Sequence, residues 1–130
     1  MRNTFKAYER LKREQHIETL FQHGKAFSVF PLRAIYHTVP RGEALSPVQV
    51  GFSVPKKRFR RAVDRHRVRR VMVEAWRLNK HPLYASLPAG IQLHLFLIFT
   101  DSSLPDFSAV ETALLKITDR LTELLQAPDA

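Results

Sequence analysis

The sequence predicts an α+β sandwich whose elements follow the order α-β-β-α-β-α around a small central sheet. Three observations predict this class: apolar residues recur with helical spacing in three segments, three other segments have strand composition, and prolines separate the segments. The chain has 130 residues, of which 45% are hydrophobic and 25% charged, as is typical of one globular domain. We therefore expect a single domain over residues 1–130, with a core at about 8–126 and frayed termini.

The first part of the chain predicts one helix followed by two strands. Residues 13–23 should form the helix, which Gly24 ends, because apolar side chains share one face: Ile17, Leu20 and Phe21. Residues 32–39 and 48–54 have strand composition, and the segment between them contains turn-forming prolines and a glycine. Gly51, inside the second strand, predicts a close backbone approach or a bulge.

The second part predicts a helix, a strand and a helix. A loop over residues 56–61 leads to a long helix ending near Lys80, whose apolar stripe should face the core: Val68, Val71, Met72 and Ala75, flanked by Trp76 and Leu78. Residues 91–99 are apolar enough on both faces to form a central strand. Residues 108–126 predict a last helix that begins with a capping box of Ser108 and Glu111. General rules favour a right-handed crossover between parallel strands.

Positive charge is concentrated in the first 80 residues. The net charge is +9; residues 1–80 contain 19 Lys or Arg against 6 Asp or Glu, whereas residues 81–130 contain 2 against 6. A basic protein is attracted to polyanions such as nucleic acid or an anionic membrane surface. The segregation of the charge predicts one dedicated binding surface.

The centre of this charge is the run at residues 56–70, which has nine Lys or Arg and a single acid, Asp64. Charge runs are usually solvated helix faces, but such faces tend to pair opposite charges at i,i+4. Seven of the nine basic residues are arginines, whose guanidinium groups suit bidentate contact with phosphate. We therefore predict a phosphate-binding helix face opposite the apolar stripe, formed by His66, Arg67, Arg69, Arg70 and Arg77.

RNA is favoured over DNA as the partner. The chain has no helix-turn-helix spacing, and without cysteine it cannot form a zinc finger. Aromatic side chains are available to stack on unpaired bases, although core packing is the commoner role of each: Phe21, Phe27, Phe30, Tyr36 and Phe52.

No active site within the protein is predicted. The absence of cysteine excludes disulfides and thiolate zinc sites, and the six histidines lack metal-ligand spacing. A two-metal nuclease needs several converging carboxylates, whereas the acids here are few and dispersed. No segment approaches the ~20 apolar residues that span a bilayer, and we expect a cytoplasmic protein without a membrane partner.

Two segments resemble a known family. Residues 50–57 read V-G-F-S-V-P-K-K, and residues 62–70 read A-V-D-R-H-R-V-R-R. Together they resemble the signature of the bacterial ribonuclease P protein component, in which such a strand leads to a helix with an R-N-R core. Here the middle residue of that core is His66, and Val73 replaces a residue that is basic in many members. The resemblance covers about residues 8–125 and is most specific in these two segments.

The resemblance implies that the protein assists a catalytic RNA. In this family the protein is the cofactor of an RNA that cuts the 5′ leader from precursor tRNA, and metal ions bound in the RNA perform the chemistry. The expected partners are therefore the ribonuclease P catalytic RNA and precursor tRNA, with no DNA. The protein alone should bind no cofactor, and Mg²⁺ is expected in the RNA holoenzyme.

The resemblance also implies two sets of site residues. The basic helix should present the following to the catalytic RNA: Arg61, Arg65, His66, Arg67, Arg69 and Arg70. A cleft between the first helix and the sheet should hold the single-stranded leader, and the matching residues are Ile17, Phe21, Tyr36, Phe52 and Ser53, with Lys56 and Lys57 at its edge. The family's fold contains a left-handed βαβ crossover, contrary to the general rule.

Two other functions remain open from the residues alone. A ribosomal or assembly-type RNA-binding module would have the same basic helix and no leader cleft. A protein-only nuclease is the weaker alternative, because it would need more carboxylates than this chain brings together.

Overall fold

The structure, a computed structural model, describes residues 4–126. The predicted fraying of the chain ends concerns residues that mostly lie outside this range. The helices and strands follow one another in this order: α1 (Glu14–His23), β1 (Lys25–Val29), β2 (Leu32–Pro40), β3 (Val48–Ser53), α2 (Ala62–Asn79), α3 (His81–Ser86), β4 (Ile91–Phe99) and α4 (Phe107–Gln126). A single 3-10 turn, Ala7–Glu9, precedes α1.

The four strands form one mixed sheet in the order β1-β2-β4-β3. β1 pairs antiparallel with β2 and β2 antiparallel with β4, whereas β3 is parallel to β4. The predicted α+β class and the central position of β4 are confirmed. β3 and β4 are adjacent, so α2 and α3 form the crossover between them; its left-handedness stays a prediction.

Two elements were not predicted from the sequence. β1 is a five-residue edge strand whose side chains are exposed or half-buried, so it lacks the apolar alternation that signals a strand. α3 has only six residues and begins at His81 with a proline in its first turn, and so short a segment has no helical period to detect. Their addition changes the predicted order to α-β-β-β-α-α-β-α.

The main core lies between one face of the sheet and helices α2 and α4. Alternate residues of β4 point to it: Leu93, Leu95, Leu97 and Phe99. From α2 the core receives Val68, Met72, Ala75 and Trp76, while Val71 is half-buried and Leu78 is 40% exposed. The predicted stripe was therefore right in direction, but Trp76 belongs to its centre and Leu78 does not.

Helix α1 covers the opposite face of the sheet, where it buries Leu20 completely. Gly24 ends α1 with extended backbone, and its N–H donates to the carbonyl of Leu20 at 2.8 Å. A Cβ on Gly24 would lie 2.3 Å from that carbonyl oxygen. The glycine is needed there for a close approach, not for a left-handed conformation.

Helix α4 begins one residue earlier than predicted, at Phe107, so Ser108 does not cap it. The other member of the predicted capping box, Glu111, instead accepts a hydrogen bond from Asn79 Nδ2 at 2.9 Å. This bond joins the start of α4 to the last residue of α2.

Candidate nucleic-acid interface

Helix α2 presents the predicted basic face to solvent. Val68 and Met72 are buried, and the exposed side chains on the other side of the helix are His66, Arg67, Arg69 and Arg70. These four line an open cavity of about 580 Å³, together with Arg10 and Phe107 from flanking segments. Several positive charges near the N-terminal end of α2 oppose the helix dipole. A face that destabilises its own helix in this way is suited to an anionic partner.

Arg65 has a different role from its neighbours on α2. Its Nη1 donates to the carbonyl oxygens of Phe59 and Arg60, each at 2.9 Å. The side chain therefore holds the loop at residues 56–61 against the start of the helix. In that loop Lys56, Lys57 and Arg61 are exposed, while Phe59 is buried in the core.

Arg77, one of the predicted phosphate contacts, pairs with an acid on its own helix. Its Nε and Nη2 donate to Glu74 at 2.8 and 2.7 Å. The hydrogen bond from Arg77 is the largest influence on the Glu74 carboxyl, and it lowers the pKa of that group. The uncompensated positive charge of α2 therefore lies in its N-terminal half.

A groove lies between the N-terminal segment, α1 and β3. Its cavity measures about 300 Å³ and contacts both apolar and basic side chains: Phe5, Arg10, Leu11, Lys12, Ile17, Val50, Gly51, Phe52, Arg69 and Phe96. The predicted close approach at Gly51 is confirmed, because a Cβ there would lie 2.7 Å from the ring of Phe96. The missing side chain lets the Phe96 ring lie over β3 at the bottom of the groove.

Most of the residues assigned to the leader cleft lie at or beside this groove. Ile17 and Phe52 line it, although Phe52 is only 5% exposed. One helical turn beyond Ile17, Phe21 is 52% exposed and its ring contacts that of Phe96 edge-on at 5.3 Å. Ser53 lines an adjoining cavity of about 350 Å³ with Arg65, His66 and Arg69.

Tyr36 is separated from this group. It is paired with Leu95 on β4, whose side chain faces the main core, and its ring contacts Phe27 at 5.8 Å. Side chains alternate between the two faces of a strand, so Tyr36 points toward the α4 side and Ile35 toward α1. The sequence position alone could not show this, because the resemblance specifies a residue and not the face it occupies.

The structure adds Phe5, Arg10 and Lys12 to the groove, none of which was assigned to it from the sequence. The Arg10 guanidinium lies 4.5 Å from the centre of the Phe5 ring, and that ring contacts Phe52 edge-on at 5.9 Å. The basic segment at residues 10–13 was the available signal. Its position against β3 depends on a long-range contact, since the Leu11 N–H donates to the Val50 carbonyl at 3.0 Å.

Three histidines lie on the α1 side of the sheet. The His94 and His16 rings are 4.9 Å apart, and His37 is the strand partner of His94. Burial, followed by the nearby His16 and His37, lowers the pKa of His94 to about 4. The neutral His94 ring is within 3.0 Å of the Gln92 side chain through Nε2, which fixes it under α1.

Over residues 4–126 no three His, Asp or Glu side chains converge in a way that could hold a metal ion. Within the same range, no helix combines the length and hydrophobicity needed to span a membrane.

An arginine-rich helix beside a groove with aromatic walls, on a small mixed sheet, is an arrangement typical of RNA-binding domains. Comparison with protein-family models matches residues 5–122 to the family described as Ribonuclease P. The chain belongs to the family of ribonuclease P protein components, the protein subunits of the ribonuclease P endoribonuclease.

Curated relatives agree with this assignment. A ribonuclease P protein component of Porphyromonas gingivalis is 44% identical over 115 residues, which cover 87% of this chain and 82% of the relative. The corresponding protein of Chlorobium phaeobacteroides is 33% identical over 134 residues, covering 94% of this chain and 92% of the relative.

Solved structures support the fold. The RNase P protein of Thermotoga maritima superposes with a TM-score of 0.66 at 22% identity, covering 86% of this chain and 96% of that one. The RNase P protein of Staphylococcus aureus gives a TM-score of 0.65 at 16% identity, covering 93% and 100%.

Proposed function

We propose that this chain binds the catalytic RNA of ribonuclease P through α2 and holds the 5′ leader of precursor tRNA in the groove beside it. The observation that carries this proposal is the position of Arg69. Its side chain lines both the open cavity on the basic face and the groove that contains Phe52 and Phe96. The catalytic RNA on the basic face and the single-stranded leader in the groove can therefore bind next to each other, on either side of Arg69.

The basic face supplies contacts suited to a folded RNA. Arg67 and Arg70 are exposed and have planar forks of donors, and phosphate accepts such donors in pairs. His66 lies between them and Arg69, where its ring nitrogens can donate to or accept from RNA. Of the residues assigned to this partner, Arg65 acts first as a loop holder, because two carbonyl oxygens already occupy its Nη1.

The groove is suited to an unpaired strand. Its apolar surface, formed by Ile17, Phe52 and Phe96, can contact exposed base faces, while Arg10 and Lys12 can contact the phosphates. Base stacking on aromatic side chains tolerates any sequence, and its alanine substitutions typically cost about 1–3 kcal/mol per base. Such a site fits a leader whose sequence differs between precursors.

Hydrolysis belongs, in this proposal, to the RNA partner. Mg²⁺ ions held by the RNA would supply the metal chemistry, and the protein residues would bind and orient the substrate. The proposal also includes a cytoplasmic location, where precursor tRNA is transcribed and processed.

Reconstitution with a bacterial ribonuclease P RNA tests this function. The full chain should stimulate cleavage of a leader-bearing precursor at low magnesium, and the chain without RNA should cleave nothing. Absence of stimulation would overturn the proposal. Metal-dependent cleavage by the RNA-free protein would instead revive the protein-only nuclease.

A substitution beside the groove separates this function from that of a general RNA-binding module. Phe21→Ala should weaken binding of leader-bearing precursor about tenfold and leave binding of mature tRNA within twofold, because only the precursor reaches the groove. Leu115→Ala removes a similarly exposed apolar side chain from α4 and is the matched control. Equal losses for precursor and mature tRNA would favour a ribosomal or assembly-type module.

A further inference from the structure

A buried ion pair fastens the N-terminal segment to the far end of the basic helix. Lys80, between α2 and α3, donates through Nζ to Glu9 Oε1 and to the carbonyl oxygen of Thr4. Tyr84 on α3 donates its hydroxyl to the same Glu9 oxygen at 2.8 Å, and the Lys6 N–H donates to Glu9 Oε2 at 2.6 Å. We call Glu9, Lys80 and Tyr84 the latch.

The latch is almost completely removed from solvent. Glu9 is 4% exposed and Lys80 is 3% exposed. Burial raises the pKa of Glu9, but the hydrogen bonds from Lys6, Lys80 and Tyr84 outweigh it, and the net pKa is lowered. Burial, together with the bond to Glu9, raises the pKa of Tyr84. At neutral pH Glu9 therefore stays ionised and the Tyr84 hydroxyl keeps its proton, as their hydrogen bond requires.

Stability alone does not explain a buried pair of this kind. Replacing a buried ion pair with apolar residues of similar volume is often neutral or stabilising, because desolvation of the charges offsets their attraction. What directed bonds to a carboxylate supply beyond apolar packing is a defined position.

The segment that the latch holds forms one wall of the groove. Arg10 follows Glu9 directly and forms a parallel bridge with Val50 at the free edge of β3. The side chain of Gln49 also donates to the Tyr8 carbonyl, at 3.2 Å. Phe5, on the other side of the latch, stacks with Arg10 and contacts Phe52. Phe5 and Arg10, two of the side chains that the segment extends into the groove, are therefore in contact with each other on either side of Glu9.

We propose that the latch is a positioning device, whose three side chains hold Phe5 and Arg10 in the groove at a fixed distance from the basic face of α2. The inference rests on the proposed function, because the strand it positions is the leader. The latch residues themselves do not contact the RNA. They link the groove wall to the C-terminal end of α2, the helix whose basic face binds the catalytic RNA in the proposed function. The groove and the basic face therefore keep a fixed relative position.

The first test measures order in the segment without any RNA. The chain has no cysteine, so a spin label on Ala7→Cys reports this segment alone. Glu9→Gln combined with Lys80→Met removes both charges and nearly preserves volume. The label should become markedly more mobile in that variant.

Leu121→Ala, which opens a cavity in the main core on α4, is the control. It lowers stability without touching the latch and should leave the mobility of the label unchanged. Unchanged mobility in the latch variant would overturn the proposal.

The second test measures binding in the reconstituted complex, with unlabelled protein. The latch variant should lose about fivefold to tenfold in affinity for leader-bearing precursor, while its affinities for mature tRNA and for the catalytic RNA stay within twofold. Full affinity for precursor, despite a mobile label, would show that the latch positions nothing that the leader needs.

A double-mutant cycle with Arg10→Ala distinguishes positioning from general destabilisation. If the latch acts through Arg10, it should weaken precursor binding much less in the Arg10→Ala background than in the wild type. Equal losses in both backgrounds would overturn the proposal, as would an equal loss in Leu121→Ala. A wild-type protein that does not distinguish precursor from mature tRNA would overturn the proposed function, and the label experiment would still decide whether the latch orders the segment.

Discussion

Gly51 and Phe96 show how a single residue shapes the candidate site. They are partners across the parallel strands β3 and β4, and the ring of Phe96 occupies the space that any side chain at residue 51 would need. The ring in turn supports Phe21 from α1. A glycine in the middle of a strand normally weakens it, and here that loss is offset by the aromatic surface it allows.

Gly51→Ala should therefore be destabilising, because the added methyl group meets the Phe96 ring at 2.7 Å. We expect the free energy of unfolding to fall by about 1–3 kcal/mol, the usual range for overpacking. Urea denaturation measures it. Phe96→Leu in the same chain should restore part of the loss, and a Gly51→Ala protein as stable as the wild type would show that the ring moves freely.

His94 makes a second prediction at this scale. Its folded-state pKa of about 4 lies below the ordinary value of 6.5, so the unfolded chain takes up a proton that the folded chain does not. The free energy of unfolding therefore has its full value, as far as His94 is concerned, above pH 6.5. It falls by about 2 kcal/mol as the pH decreases toward 4. His94→Gln should flatten the pH dependence of unfolding between pH 6.5 and 4. An unchanged slope in that window would contradict the assignment.

At the scale of the element, α2 combines an arginine that holds a loop with an exposed arginine within one helical turn. Arg65 bonds to two carbonyl oxygens of the preceding loop, whereas Arg67 is exposed on the basic face. Helical spacing placed only Arg67 on the predicted phosphate-binding face, whereas the family resemblance assigned both arginines to the catalytic RNA. Only the path of the loop, which Phe59 anchors in the core, brings its carbonyls within reach of Arg65.

Alanine at these two positions should affect different properties of the protein. Arg65→Ala should lower the free energy of unfolding by about 1–2 kcal/mol, since two loop carbonyls lose a charged donor. Arg67→Ala should change stability by less than about 0.5 kcal/mol, as is usual for exposed positions. It should nevertheless weaken binding to the catalytic RNA. Equal stability losses in the two variants would show that Arg65 does not hold the loop.

At the scale of the whole molecule, charge is divided between two parts of the chain. The excess of basic residues in the first 80 residues is carried by the N-terminal segment, the loop before α2 and α2 itself, whereas the last 50 residues carry an acidic excess. α4, which packs on the core side of the sheet, has only two basic residues, Lys116 and Arg120. This division should orient the protein on an RNA surface before any specific contact forms.

The salt dependence of RNA binding tests this division. If about five phosphates are neutralised, the logarithm of the affinity for the catalytic RNA should fall against the logarithm of salt with a slope of about −3 to −5. Arg70→Ala should reduce the slope by nearly one. Lys116→Ala, an exposed lysine on α4, should leave it unchanged. An affinity that does not change with salt would refute the electrostatic basis of the interface.

Local sequence patterns predicted most of the helices and strands, and the two elements that they missed are short. Helical spacing predicted α1, α2 and α4, and apolar composition predicted β2, β3 and the central β4, because burial imposes a period on these elements. β1 and α3 are too short, and β1 too exposed, to carry such a period. The basic face was predicted for the same reason as the helices, since it lies opposite a buried stripe.

The sequence by itself determined the α+β class, the surplus of arginine on one helix face and the family motif. These depend on composition, on periodicity and on residues close together in the chain. Only the tertiary structure decided that Arg65 holds a loop, that Tyr36 faces away from the groove, and that Glu9 meets Lys80 across 71 residues of chain. Those outcomes depend on strand pairing and on which face of the sheet each helix covers, and long-range packing sets both.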